Sequence, residues 1–296
     1  MIMSEAEARS WESPSQRVKK GPTRRGVYIL PSLFTIGTLI CGYVAILSTL
    51  RGAQLLAGSG NAWVAFDEAA RMIGWAIVFD GLDGRIARLT NSTSNFGREF
   101  DSLADVITFG VAPAFLAYSW GFQAVYSFSG RHLVYYPEKA GWLIGFAFVI
   151  CGAARLARFN IDQGASSDRK YFIGLPIPAA AGVVAAVVHW AKFPVREEAY
   201  SIVWLTVVAL AAYLMVSRVR YFSFKAIDLR KKHSYLFIIV LGLIVWAIWT
   251  YSEPVLLTLA LVYFLSGPVL RLVSRFRSHP PSPKTRESTG REVHAV

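Results

Sequence analysis

The chain has 296 residues, 54% of them hydrophobic, with a mean hydropathy of +0.41 and a formal charge of +12. That is too apolar for an ordinary soluble domain, whose apolar share including glycine is about 45–50%. Its two cysteines, Cys41 and Cys151, lie in apolar runs and its five histidines are scattered, so neither a disulfide framework nor a Cys/His metal site is indicated.

Residues 1–25 are polar and carry Arg9, Arg17, Lys19, Lys20, Arg24 and Arg25. No small-residue cleavage site follows a short apolar core, so they read as a disordered basic tail and not as a signal peptide. From 26 to 273 the pattern is that of one membrane domain, all-α, with about eight transmembrane helices near 27–50, 62–89, 97–120, 141–157, 173–191, 200–216, 235–249 and 255–272. Pro176 and Pro178 are expected to bend the fifth span or mark its entry. Asp67 and Arg71, four apart, form an expected ion pair anchoring the second span at the interface. His189, beside Trp190, reads as an interface residue. The basic run 218–232 joins two spans and reads as a segment lying on anionic lipid, or as a solvated loop. Residues 274–296, rich in Pro, Ser and charge, read as a second disordered tail.

Charge supplies the orientation. With eight spans and an inside N-terminus, most of the 31 Lys and Arg fall on the cytoplasmic side. The positive-inside rule then puts both termini, and the turn after the second span, in the cytoplasm. Basic residues that flank apolar spans point to lipid headgroups and away from nucleic acid.

The chain is organised around residues 80–105, DGLDGRIARLTNSTSNFGREFDSLAD, which hold Asp80, Asp83, Asp101 and Asp105 between two apolar runs. Unpaired carboxylates at the edge of such sequence lose several kcal/mol or take up protons, so each requires a partner. Asp80 and Asp83, three apart, share one helical face; Gly97, Asp101 and Asp105, four apart, make a stripe on another. The polar stretch 89–95 is expected to be a tight loop that brings the two acidic faces together. Carboxylate-only ligation suits Mg²⁺, Mn²⁺ or Ca²⁺ and argues against Zn²⁺. Gly84 and Gly97 permit close approach of a ligand or second helix, and Arg88, one turn past Gly84, is placed to hold a phosphate oxygen.

Asp80, Asp83, Gly84, Ala87, Arg88, Gly97, Asp101 and Asp105 together match D-x2-D-G-x2-A-R-x8-G-x3-D-x3-D, which resembles the signature of the CDP-alcohol phosphotransferase family. Three further stretches, DSLADVITFGVAPA, RLARFN (155–160) and FIGLPIPAAAG (172–182), are similar to the bacterial and archaeal phosphatidylserine synthases within it. LPSLFTIGTLICG resembles the first helix of that subfamily, with Ser32 at a position often held by Asn. The resemblance covers about residues 30–182. It implies a membrane-embedded homodimeric enzyme with two divalent ions, Mg²⁺ or Mn²⁺, on the four aspartates. It implies CDP-diacylglycerol as donor, L-serine as acceptor, donor contacts at Gly84, Arg88 and Ser94, and Asp105 as general base. Arg155 and Arg158 share one face at the cytoplasmic end of the fourth span, where they would take the donor's phosphates or the carboxylate of serine, or act as positive-inside anchors.

Two alternatives differ in kind. Another member of the same family, with glycerol phosphate or inositol phosphate as acceptor or with serine on an archaeal-type lipid donor, would keep the site and change the product. A transporter using intramembrane acids to carry ions would be expected to repeat its motif, and the later spans hold no second copy.

Overall fold

A computed structural model describes residues 29–58, 61–89, 95–122, 137–162, 171–222 and 234–277. The expected tail 1–25, most of the loop at 89–95, Ser94, the segment 223–233 and residues 278–296 lie outside the described residues. The described chain is almost wholly helical: α1 (Ile29–Ala57), α2 (Ala62–Leu89), α3 (Asn95–Asp105), α4 (Ala112–Ala117), α5 (Pro137–Asp162), α6 (Ile177–Ala191), α7 (Glu198–Val216), α8 (Ser234–Thr250) and α9 (Ser252–Arg277). A π-helical turn at Val106–Val111 joins α3 to α4, and a second at Tyr118–Phe122 continues α4, so that all four make one continuous rod. The protein is thus all-α and has the build of a polytopic membrane protein.

Among the described residues five helices are long and apolar enough to cross a bilayer: Leu33–Leu56, Phe96–Phe122, Ala140–Ile161, Glu198–Val216 and Ser252–Val273. Helix α2 has the length, at 28 residues, but carries Asp67, Glu68, Arg71, Asp80 and Asp83. Helix α6 has 15 residues, about 22 Å at 1.5 Å per residue, against an apolar core of about 30 Å. Helix α9 continues through Arg277, past the expected domain end at 273.

Backbone chemistry explains the irregular places. Pro113 has no N–H for the Phe109 carbonyl, and the rod widens just before it, with the Ala112 N–H donating to Ile107 O. Asp105 is the residue at which the widening begins. Pro176 and Pro178 mark the entry of α6 and do not bend it: Pro176 is its N-cap and Pro178 lies in its first turn. The preceding Gly174 has φ +81°, and a Cβ there would collide with the Met215 carbonyl. Its N–H donates to Val219 O (2.8 Å) and that of Leu175 to Leu214 O (3.0 Å), so the GLPIP stretch docks on the end of α7.

Packing follows the same economy of side chains. Ala180, Ala181 and Ala185 of α6 share a core with Ala69, Ala70 and Ala76 of α2, small residues that let membrane helices approach closely. Helix α1 meets the first π turn at Gly42, where a Cβ would lie 2.9 Å from the Thr108 Cα, and the Thr108 hydroxyl donates to Thr38 O (3.2 Å). Leu243, Trp246 and Trp249 of α8 and Val262 and Val269 of α9 are exposed, as a surface facing lipid tails requires. Two three-residue strands, β1 (Tyr171–Ile173) and β2 (Arg220–Phe222), pair antiparallel with Phe172 opposite Tyr221. They bring the start of the 218–232 segment back against the helices.

The expected Asp67–Arg71 pair forms, but it belongs to a larger network. His189 is buried and is not an interface residue: its Nδ1 meets Asp67 Oδ1 at 2.5 Å and its Nε2 meets Ser252 Oγ at 3.0 Å. Three helices, α2, α6 and α9, are joined through it. Removing one buried partner of this network leaves hydrogen-bonding groups of Asp67 and Ser252 unsatisfied. His189→Ala is therefore expected to cost about 1–3 kcal/mol, read as a fall in melting temperature in detergent. An unchanged melting temperature would show that the network adds nothing to stability.

Candidate active site

Asp80 and Asp83 lie in the C-terminal third of α2, and Asp101 and Asp105 lie on α3, where the four-residue spacing puts both on one face. Asp80, Asp101 and Asp105 each offer a carboxylate oxygen, and these oxygens lie within 4.8 Å of one another. Ligands of one small cation at 2.0–2.6 Å are spaced in that range. Asp83 stands beside this group and not in it. Its Oδ2 accepts the Thr35 hydroxyl (2.5 Å), which ties it to α1, while its charge acts on both Asp101 and Asp105.

The carboxylates fit a cation on a second count. Asp83 Oδ1 and Asp105 Oδ1 are buried without a hydrogen-bond partner. A buried carboxylate oxygen with no donor is costly, and a divalent ion is the partner that an all-acid group can share. Oxygen ligands alone select a hard ion such as Mg²⁺, Mn²⁺ or Ca²⁺.

Around the acids the surface is permissive. Gly84 opens on free space, with nothing within 4 Å of a Cβ placed there. Gly97 lies one turn before Asp101, half-buried. Arg88 is in the last turn of α2, but its side chain, like Ser94, lies outside the described set. Val78, Leu82, Leu103 and Ile107 are exposed and lie two positions from an aspartate, so on each helix an apolar face turns away from the acidic one.

Arg155 and Arg158 are brought to different depths. Arg155, on α5, is 9% exposed and close enough to Asp105 for their charges to attract; Arg158 is half-buried. The Arg155 guanidinium lies 5.7 Å from the centre of the Phe159 ring, and its Nε has no hydrogen-bond partner. The end of the RLARFN stretch is fastened to the acidic helix, since Asn160 Nδ2 donates to Ser102 Oγ at 3.0 Å.

Three contributors escape the sequence pattern. Thr35 is one of several hydroxyls in an apolar helix and carries no spacing signal. The Asn160–Ser102 bond joins residues 58 apart. Tyr263, on α9, acts on the Arg155 charge from a helix with no motif of its own.

Comparison with known proteins bears on this site. A model of the CDP-alcohol phosphatidyltransferase family matches residues 28–216. A CDP-diacylglycerol–serine O-phosphatidyltransferase of Helicobacter pylori is 41% identical over 219 residues, covering 74% of this chain and 82% of that protein. The enzyme of the same name from Bacillus subtilis is 35% identical over 196 residues, 66% of this chain and 91% of its own. That from Methanocaldococcus jannaschii is 39% identical over 142 residues, 48% and 56% respectively. All four aspartates and Arg155 fall inside the matched range; Tyr263 falls beyond it.

Proposed function

The chain belongs to the CDP-alcohol phosphatidyltransferase family, and from that premise we propose that it is a phosphatidylserine synthase. It would move the phosphatidyl group of CDP-diacylglycerol to the hydroxyl of L-serine and release CMP. The observation that carries this is the acidic group of Asp80, Asp101 and Asp105, with buried carboxylate oxygens that lack donors, set in membrane helices. The relatives named above, CDP-diacylglycerol–serine O-phosphatidyltransferases, supply the substrates by similarity.

In this reading Asp80, Asp83, Asp101 and Asp105 hold two divalent ions, Mg²⁺ or Mn²⁺. When bound, these ions offset the charge of the donor diphosphate and of the departing CMP. Asp105 takes the proton from the serine hydroxyl. The serine oxygen bonds to the phosphorus that bears diacylglycerol, and the bond from that phosphorus to the bridging oxygen breaks, leaving with CMP. Gly84, Arg88 and Ser94 bind the donor, and Gly97 leaves the acidic face of α3 open to it.

Arg155 takes the carboxylate of serine. A serine molecule carries its hydroxyl and carboxylate close together, so base and cation must be neighbours, and the buried Arg155 is near enough to Asp105 for their charges to attract. Arg158, less buried, meets the charged headgroup layer or the donor phosphates. By the charge bias along the sequence the site faces the cytoplasm, from the inner membrane of a bacterial-type cell. A homodimer belongs to the same reading and rests on the family resemblance.

The test is CMP release from CDP-diacylglycerol in the presence of L-serine, glycerol 3-phosphate or inositol phosphate. Serine alone is expected to support turnover, and equal turnover with either phosphate would move the chain to another branch of the family. Arg155→Ala is expected to raise the serine KM by roughly 10- to 100-fold, the value of a charge-assisted contact of about 1.5–3 kcal/mol. A KM rise for CDP-diacylglycerol instead would assign Arg155 to the donor.

A further inference from the structure

The acidic face of α3 and the buried face of α4 belong to one rod but meet different neighbours. Asp101 and Asp105 bring carboxylate oxygens within 4.8 Å of one from Asp80 on α2. Further along, Ala112, Leu116 and Ala117 are fully buried, and Trp204 of α7 donates its Nε1–H to Ala117 O at 3.0 Å. The number of residues per turn between the two stretches sets the direction of one relative to the other. That number changes at Val106–Val111, where the Ala112 N–H reaches back five residues to Ile107 O, in place of the four of an α-helix.

The outer side of the rod shows the size of the change. Leu103, Ile107 and Phe115 are all exposed. At about 100° per residue, an unbroken α-helix would put Leu103 and Phe115 about 120° apart around the axis. A wide turn that takes up one extra residue reduces this to about 20°, so both lie on one side. The same rotation governs the acids. With the turn closed to α geometry and α4 left in its packing, Asp101 and Asp105 would swing by about 100° away from Asp80.

Pro113 stands just past this turn, in the first turn of α4. In a regular helix it would owe Phe109 O an N–H that it lacks, and its ring would press on that carbonyl; the wide turn removes the conflict. The turn is also held from the side. Thr108 is buried and donates its hydroxyl to Thr38 O at 3.2 Å, and Gly42 lets α1 lie against its Cα. At the acidic end, Asn160 of α5 donates its Nδ2–H to Ser102 Oγ at 3.0 Å. The widened turn therefore lies between two fixed ends.

We propose that Pro113 is a positioning residue for Asp101 and Asp105: by holding the turn at Val106–Val111 one residue wider than an α-helix, it sets the angle at which their carboxylates meet Asp80. The proposal deepens the reading of the acidic group as a divalent-ion site and rests on it. Pro113 acts through the backbone, from eight residues beyond Asp105.

The experiment compares wild type, Pro113→Ala, a deletion of Ile107 and the two changes combined, as full chains in detergent. It reads the melting temperature without ions and the Mn²⁺ concentration that gives half of the maximal melting shift, with CMP release followed in parallel. Ile107 is exposed, so deleting it removes the extra residue without opening the core. Pro113→Ala supplies the missing N–H and lets the turn close. Its Mn²⁺ midpoint should rise by roughly 10-fold or more, as when the support of a metal ligand is lost, while its ion-free melting temperature holds or rises. The deletion alone leaves Pro113 inside a regular helix and should lower the melting temperature. The combined variant closes the turn and removes the residue it had absorbed, so its Mn²⁺ midpoint should return to the wild-type value. A Pro113→Ala midpoint equal to that of wild type would overturn the proposal, because the turn then stays open without the proline. A raised midpoint that the combined variant does not restore, or a combined variant that does not fold, would overturn it too, by making the fault one of packing and not of register. If wild type itself shows no Mn²⁺-induced shift, the ion-site reading fails and takes the proposal with it.

Discussion

Asp105→Asn is expected to abolish phosphatidyl transfer, lowering kcat by about 10²–10⁴-fold or more, and to leave the protein folded. The magnitude is that of removing a general base. Loss of one oxygen ligand from the acidic group adds to it. The amide has the shape of the carboxylate, so packing around the start of the first π turn is kept. Stability should hold or rise slightly when no divalent ion is present. Asp105 is buried, its Oδ1 has no donor, and Asp80, Asp83 and Asp101 all repel its charge. Removing that charge relieves the repulsion from three acids at the cost of one attraction, to Arg155. CMP release paired with a thermal melt checks both halves. Turnover near the wild-type rate would remove Asp105 from the base role, and a collapsed melt would make the residue structural.

Divalent ions are expected to stabilise the wild type and to be required for turnover, and Asp101→Asn is expected to lose both responses. The oxygens of Asp80, Asp101 and Asp105 lie within 4.8 Å of one another, and a cation among them turns mutual repulsion into attraction. A ligand that binds only the folded state at 100 times its Kd adds about 2.7 kcal/mol. Mg²⁺ or Mn²⁺ at that excess should therefore raise the melting temperature by several degrees, and a chelator should reverse it. Asp101→Asn removes a central ligand, so turnover should fall by about 10²-fold or more, as when a charge-stabilising group is removed. Thr35→Val would be milder, because it frees Asp83 Oδ2 without removing a carboxylate. Melting temperatures that ignore divalent ions in the wild type would leave the acidic group without the partner assigned to it.

The acidic faces were readable because helical spacing is a local property. Asp80 and Asp83, and Gly97, Asp101 and Asp105, each advertise a shared face within a single turn or two. Apolar length gave the helices, and α2 runs over the expected 62–89. What stayed hidden depends on partners far along the chain. Asp83 stands outside the three close carboxylates, and its Oδ2 accepts a hydrogen bond from Thr35, 48 residues earlier. His189 is buried because Asp67 and Ser252 reach it from 122 and 63 residues away. The strands β1 and β2 are three residues each, too short to show an alternating pattern. The wide turn at Asp105 was half legible: Pro113 announces a missing donor, but not how the backbone absorbs it.

The most direct test is CMP release from CDP-diacylglycerol, measured with and without L-serine and with and without a divalent ion. The account predicts release only when serine and Mg²⁺ or Mn²⁺ are both present, with phosphatidylserine formed in equal amount. Release that persists under chelation, or that proceeds at the same rate without any acceptor, would contradict it.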